Sequence, residues 1–162
     1  MSATTIPASR AAASSRSASR ARLWLRATAV ILAFFAVGHT VGTAVPRVTH
    51  GAEEEALFRA MQGFRFPVMG FTRSYWEFYR GFSVTISVLL AALAVFAWQL
   101  GNLSRRNPAA TLPLAATMLA SCLATAVVTF VYFFSAPMFL SALAVLISAN
   151  AVRLVARDAK SN

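Results

Sequence analysis

The side chains of this chain that could do chemistry gather in one stretch, Phe71 to Phe82 (FTRSYWEFYRGF), and in one histidine, His39. A helix starting near Thr72 would set Arg73, Glu77 and Arg80 on one stripe at i, i+4 and i+7, with Tyr75, Phe78, Tyr79 and Phe82 on the neighbouring surface. A carboxylate held between two guanidinium groups suits a clamp better than a proton-donating acid. Arg73 and Arg80 would attract an anionic group while Trp76 and Tyr79 supply ring surface, so Arg73, Trp76, Glu77 and Arg80 form a candidate ligand-binding set. His39 is the candidate acid/base, with Glu77 as first and Tyr79 as second orienting partner. It sits in GHTVG, where Gly38 and Gly42 form a GxxxG step suited to close helix packing. Each feature also has a structural reading. Tyr75, Trp76 and Tyr79 match an aromatic belt, the charges a solvated ion-pair cluster, and a lone histidine near a helix end a hydrogen bonder.

Other chemistries are excluded by what is missing. With one cysteine, Cys122, and two histidines, His39 and His50, the chain lacks the ligands for a zinc or di-iron site, so neither metal nor cofactor is expected. There is no Walker loop, no GxGxxG and no GxSxG. Cys122, inside an apolar run, reads as a small core residue. Ser83, Thr85 and Ser87 lack a second histidine at membrane depth to activate them and read as interhelical hydrogen bonders.

The elements that must position these groups follow from composition. Of 162 residues, 58% are hydrophobic and 12% charged, so lipid is the expected solvent for most of the chain. The formal charge of +10 comes from arginines that flank apolar runs, which fits a membrane surface and not nucleic acid. Residues 1–22 are a basic Ser/Ala/Arg tail without acids, expected to be disordered, with the composition of a targeting segment as an alternative. A membrane domain over 23–157 follows, with spans near 23–45, 74–100, 109–134 and 137–155, and a short tail, 158–162. Pro46 and Arg47 close the first span. The uncharged run from Asn107 to Val152 would make a helix of about 70 Å, more than twice the ~30 Å hydrocarbon core, so it must fold back, most simply at Ser135-Ala136-Pro137. The fold class expected is all-α, a four-transmembrane-helix bundle.

Four spans put the arginines of the tail, the Arg105-Arg106 turn and the C-terminal end on one side, and the positive-inside rule makes that side cytoplasmic. The connection 46–73 is then the outer loop. Within it AEEEALFRAMQGF reads as a short interfacial helix: acids in its first turn, a Glu55/Arg59 pair, Leu57, Phe58, Met61 and Phe64 on one face, and Gly63 ending it. Phe66 to Gly70 reads as an extended or turning segment.

GHTVG in the first span, VMG, and Trp76-Glu77-Phe78-Tyr79 followed by Gly81-Phe82 resemble the motifs of a family of small uncharacterised bacterial integral membrane proteins with four predicted helices. The resemblance covers about residues 25–150 and departs from the family in having Glu77 where Asp is common. It implies a four-span topology and a bacterial inner membrane, and carries no activity with it. The functional expectation is a non-enzymatic protein binding a lipid head group, a hydrophobic small molecule or a membrane partner at its outer face. The alternatives are a membrane-embedded enzyme using His39 with Glu77, and a subunit of an oligomeric transporter or channel. Membrane lipids and a homo-oligomer or membrane partner are the expected associations, and nucleic acid is not.

Overall fold

Apolar runs of this length, without water to satisfy a backbone, have to form helices that pair every amide internally. The computed structural model describes residues 8–45 and 49–161, with side chains from Ser19 onward. It is all-α in its membrane-crossing part, a four-helix bundle with one extra short helix and a small hairpin. In order these are α1 (Ala8–Ala44), α2 (Ala52–Gly63), β1 (Arg65–Val68), β2 (Phe71–Ser74), α3 (Tyr75–Leu103), α4 (Pro108–Tyr132) and α5 (Ser135–Ser161). Four segments are long and apolar enough to cross a membrane: Ser19–Ala44, Tyr75–Leu103, Pro108–Tyr132 and Ser135–Ser161. Phe34, Val37, Val88, Leu89, Val127, Val131 and Leu146 are each more than half exposed, which suits side chains solvated by lipid tails.

Three boundaries differ from expectation. Helix α1 already begins at Ala8 and so takes in most of the segment expected to be disordered, where alanine and arginine are strong helix formers. Helix α3 continues through Gly101 and Asn102 to Leu103 before the turn carrying Arg105 and Arg106. The bend after α4 falls at Phe133-Phe134, and Pro137 sits in the first turn of α5, where a missing amide proton costs nothing. The expected stop at Pro46-Arg47 lies outside the described residues.

The chain forms two compact units, one of residues up to Phe35 together with Ala91–Asn162, the other of Ala36–Leu90. In the first, Asn107 caps α4 by accepting from the Ala110 amide at 3.0 Å, with Pro108 at the first helical position. α4 turns Ala115, Met118, Cys122 and Thr129 inward, and α5 turns in Ser141, Ala144, Ser148, Ala151 and Val155. The alanines and serines among them let the helices approach closely, and the buried Thr129 and Ser141 hydroxyls bond at 2.7 Å. Cys122 is a buried free thiol in that seam.

The second unit holds the end of α1, the interfacial helix α2, the β1–β2 hairpin and the start of α3. α2 runs as its composition suggests: Glu53, Glu54 and Glu55 in the first turn, Glu55 3.6 Å from Arg59, and an end at Gly63. The hairpin pairs Arg65 with Ser74, Phe66 with Arg73, Pro67 with Thr72 and Val68 with Phe71. Its two-residue tip, Met69-Gly70, has φ of 47° and 84°, the left-handed backbone that tight hairpin turns require.

Candidate membrane-boundary site

Ser74 organises the start of α3. Its hydroxyl accepts from the Glu77 amide at 3.2 Å, while the Glu77 carboxylate accepts from the Ser74 amide at 2.6 Å. This reciprocal capping box satisfies two amides that the helix itself cannot. The hairpin register adds the counter-ion: Arg65, opposite Ser74, reaches back so that its guanidinium lies 3.8 Å from Glu77 and donates to the Thr72 carbonyl at 3.3 Å. Glu77 therefore ties helix start to hairpin.

The expected stripe of Arg73, Glu77 and Arg80 does not form, because Arg73 is in β2 and the helix starts two residues after it. The guanidinium paired with Glu77 is that of Arg65. Arg73 is exposed, 5.3 Å from the centre of the Phe71 ring, and Arg80 is exposed on α3. Trp76 is half-buried between Phe58 of α2, edge-on at 5.7 Å, and Tyr79, stacked at 5.4 Å. A second ring series runs Phe64, Tyr75, Phe66, Phe78 and Phe82 with neighbouring centroids 4.9–6.2 Å apart. The rings fasten α2 and the hairpin onto α3, each contact within the range of favourable aromatic pairs.

His39 is elsewhere. Its Nδ1 is 3.0 Å from Ser87 Oγ, and Ser87 lies nearly three turns along α3 from Glu77, about 15 Å at 1.5 Å per residue. Thr40 Oγ1 donates to Ser87 Oγ at 2.9 Å or to the Ala36 carbonyl at 2.8 Å, and Ser87 Oγ also reaches the Ser83 carbonyl at 3.3 Å. Each hydroxyl has one proton to donate, and two of the arrangements open to the network illustrate the choice. In one, Thr40 donates to Ser87 and Ser87 to His39. In the other, His39 donates to Ser87, Ser87 to Ser83, and Thr40 to Ala36. The structure thus brings His39 to Ser87 and Thr40, not to Glu77 or Tyr79. Ser87 acts as the interhelical hydrogen bonder its setting suggests.

A serine hydroxyl 3.0 Å from an imidazole has the spacing of a nucleophile and its base. Acyl transfer also needs donors aimed at an oxyanion, and Ser87 sits inside α3, where neighbouring amides belong to the helix ladder. Gly38 and Gly42 are exposed, and a Cβ built on either meets nothing within 4 Å, so no close helix packing is made there among the described residues. Among the described residues no group of three or more His, Cys, Asp or Glu is placed to hold a metal ion.

The capping box was signalled by Ser74 three residues ahead of Glu77. The hairpin had a weaker signal, Met69-Gly70 between Val68 and Phe71. Apolar helices with lipid-compatible faces and a belt of rings at one boundary define a multi-pass α-helical membrane protein. Beyond that class, no protein-family model, curated protein or solved structure matches the chain.

Proposed function

We propose that the chain is a bacterial inner-membrane protein with both termini in the cytoplasm, and that it works by binding lipid at its outer boundary and not by catalysis. The observation that carries this reading is the hairpin tip: Met69 is 95% exposed while held at a positive φ. Exposed Phe71 follows the tip with exposed Arg73 over its ring, and a second exposed arginine, Arg80, stands on α3. An apolar tip with a cation in the following strand matches the boundary of a bilayer, where the first methylenes of the acyl chains lie next to the head-group phosphates. The bacterial location rests on the resemblance of the GHT and WEFY motifs, and the orientation on the arginines of the N-terminal segment, the α3–α4 turn and the end of α5. Against catalysis, the carboxylate of Glu77 is committed to capping and His39 to Ser87.

The test places a single reporter thiol at the tip, as Met69→Cys in a Cys122→Ser background. A membrane-impermeant thiol reagent should label it in intact spheroplasts. An environment-sensitive dye on that thiol should be quenched by head-group nitroxide lipids, more by anionic than by zwitterionic ones, with the preference lost in R73Q/R80Q. Labelling only after permeabilisation would overturn the orientation; quenching by aqueous iodide without quenching by lipid nitroxide would overturn lipid binding.

A further inference from the structure

The unit formed by residues up to Phe35 and from Ala91 on carries a feature unrelated to the hairpin. Between α1 and α3 runs an open apolar groove of about 290 Å3, lined by Ala29, Val30, Ala33, Ala94, Val95 and Trp98. Buried Ala29 and Ala94 form its floor, and exposed Val30 and Val95 its rims. At the small end of ligand-pocket volumes, it has room for a length of hydrocarbon and not for a whole large ligand.

One end of the groove is cationic. The Arg26 guanidinium lies over the Trp98 ring, 4.2 Å from its centre, and donates to Asn102 Oδ1 at 3.2 Å. Its stem is fixed by close helix contact: a Cβ added to Gly101 would stand 3.3 Å from Arg26 Cγ and 3.4 Å from the Arg22 carbonyl oxygen. Arg22 lies within electrostatic reach of both Arg26 and Arg105. The Nε atoms of Arg22 and Arg26 are enclosed without a hydrogen-bond partner among the described residues. Guanidinium groups gathered this closely, with Arg105 near Arg22, favour an anion beside them.

We propose that this end of the α1–α3 pair binds one anionic phospholipid, with its phosphate on Arg22 and Arg26 and the upper part of one acyl chain in the groove beneath Trp98. Charge and shape select this occupant together. A soluble anion would leave the groove empty, and an apolar helix from a second copy would bring no acceptor to the arginines. Bidentate guanidinium contacts give the phosphate its orientation, and the alanine floor lets the chain lie against the helices.

The experiment uses the full-length protein in neutral detergent, read by native mass spectrometry with added phosphatidylglycerol, phosphatidylcholine of identical chains, or inorganic phosphate. One phosphatidylglycerol should be retained at roughly tenfold lower concentration than phosphatidylcholine, which has the same phosphate but brings a choline cation against Arg22 and Arg26, and inorganic phosphate should not compete for it. R26Q should erase that preference while leaving weak phosphatidylcholine adducts unchanged. A33W, which fills the groove from an exposed position, should remove the retained lipid even if R26Q does not fold. Equal retention of the two lipids, or retention unaffected by A33W, overturns the proposal. Competition by inorganic phosphate assigns the arginines to a soluble anion, and a dimer lost in A33W without lipid preference assigns the groove to a second copy; either result also overturns it.

Discussion

The contact between His39 and Ser87 gives the sharpest quantitative expectation, because it fixes how two stability losses combine. In His39→Leu, Ser87 keeps Thr40 as donor and the Ser83 carbonyl as acceptor, so no hydroxyl is stranded. The loss is then one interhelical hydrogen bond, about 0.6 kcal/mol on average in a membrane and at most about 1.7. In Ser87→Ala, Thr40 falls back on the Ala36 carbonyl, but the Nδ1 of His39 loses its partner at 3.0 Å, so the cost should be the larger, about 1–1.5 kcal/mol. The double variant should then show a coupling of about 0.6–1 kcal/mol, measured by reversible unfolding of the four proteins in bicelles titrated with denaturing detergent. His39→Asn, whose amide falls near the position of Nδ1, should retain more stability than His39→Gln, whose amide falls near Nε2. Single-variant losses that add to within about 0.3 kcal/mol would show that the side chains do not interact and would refute the contact.

Ser74→Ala removes the buried cap of α3 and should cost about 1 kcal/mol of local stability, read as roughly fivefold faster hydrogen exchange at the Glu77 amide. Glu77→Gln, which keeps an acceptor for the Ser74 amide, should disturb that exchange less than Glu77→Leu. Met69→Gly should stabilise the hairpin by up to about 1 kcal/mol by relieving its positive φ, and Met69→Val should destabilise it, both read by exchange at the amides of β1 and β2. Thr129→Val should cost about 1 kcal/mol of α4–α5 stability in bicelle unfolding, limited because Ser141 keeps its bond to the Met138 carbonyl.

The spans, the interfacial helix and its Glu55/Arg59 pair were legible because each rests on local composition: apolar length, acids in a first turn, a glycine at the end. The site was legible in its members and not in its connections. A helical stripe through Arg73, Glu77 and Arg80 assumes that the helix has begun at Thr72, and two competing local preferences prevent this. Ser74 with Glu77 offers a capping box that starts the helix at Tyr75, and Val68-Met69-Gly70-Phe71 offers a turn that folds Phe71–Ser74 back onto Arg65–Val68. Once both form, the hairpin register and not helical periodicity decides which guanidinium meets Glu77, and register selects Arg65. Register is a long-range property that no reading of residues 71–82 alone contains.

The same reasoning explains His39. A histidine and a carboxylate placed at one membrane level by residue counting are brought together only if their helices present them to each other, and in the unit of residues 36–90 the α3 residue that meets His39 is Ser87. A polar group in hydrocarbon takes the partner that satisfies it at least cost, here a hydroxyl already supported by Thr40 and Ser83. Glu77, with its carboxylate engaged by a backbone amide and an arginine, has no comparable need of a histidine. The two ionisable residues that looked like one site therefore serve two fastenings, one holding α1 to α3 and one holding the hairpin to the start of α3. The proposed lipid contacts draw on groups those fastenings do not use: exposed Met69, Phe71 and Arg73 of the hairpin, Arg80 on α3, and Arg22 and Arg26 beside the alanine-floored groove.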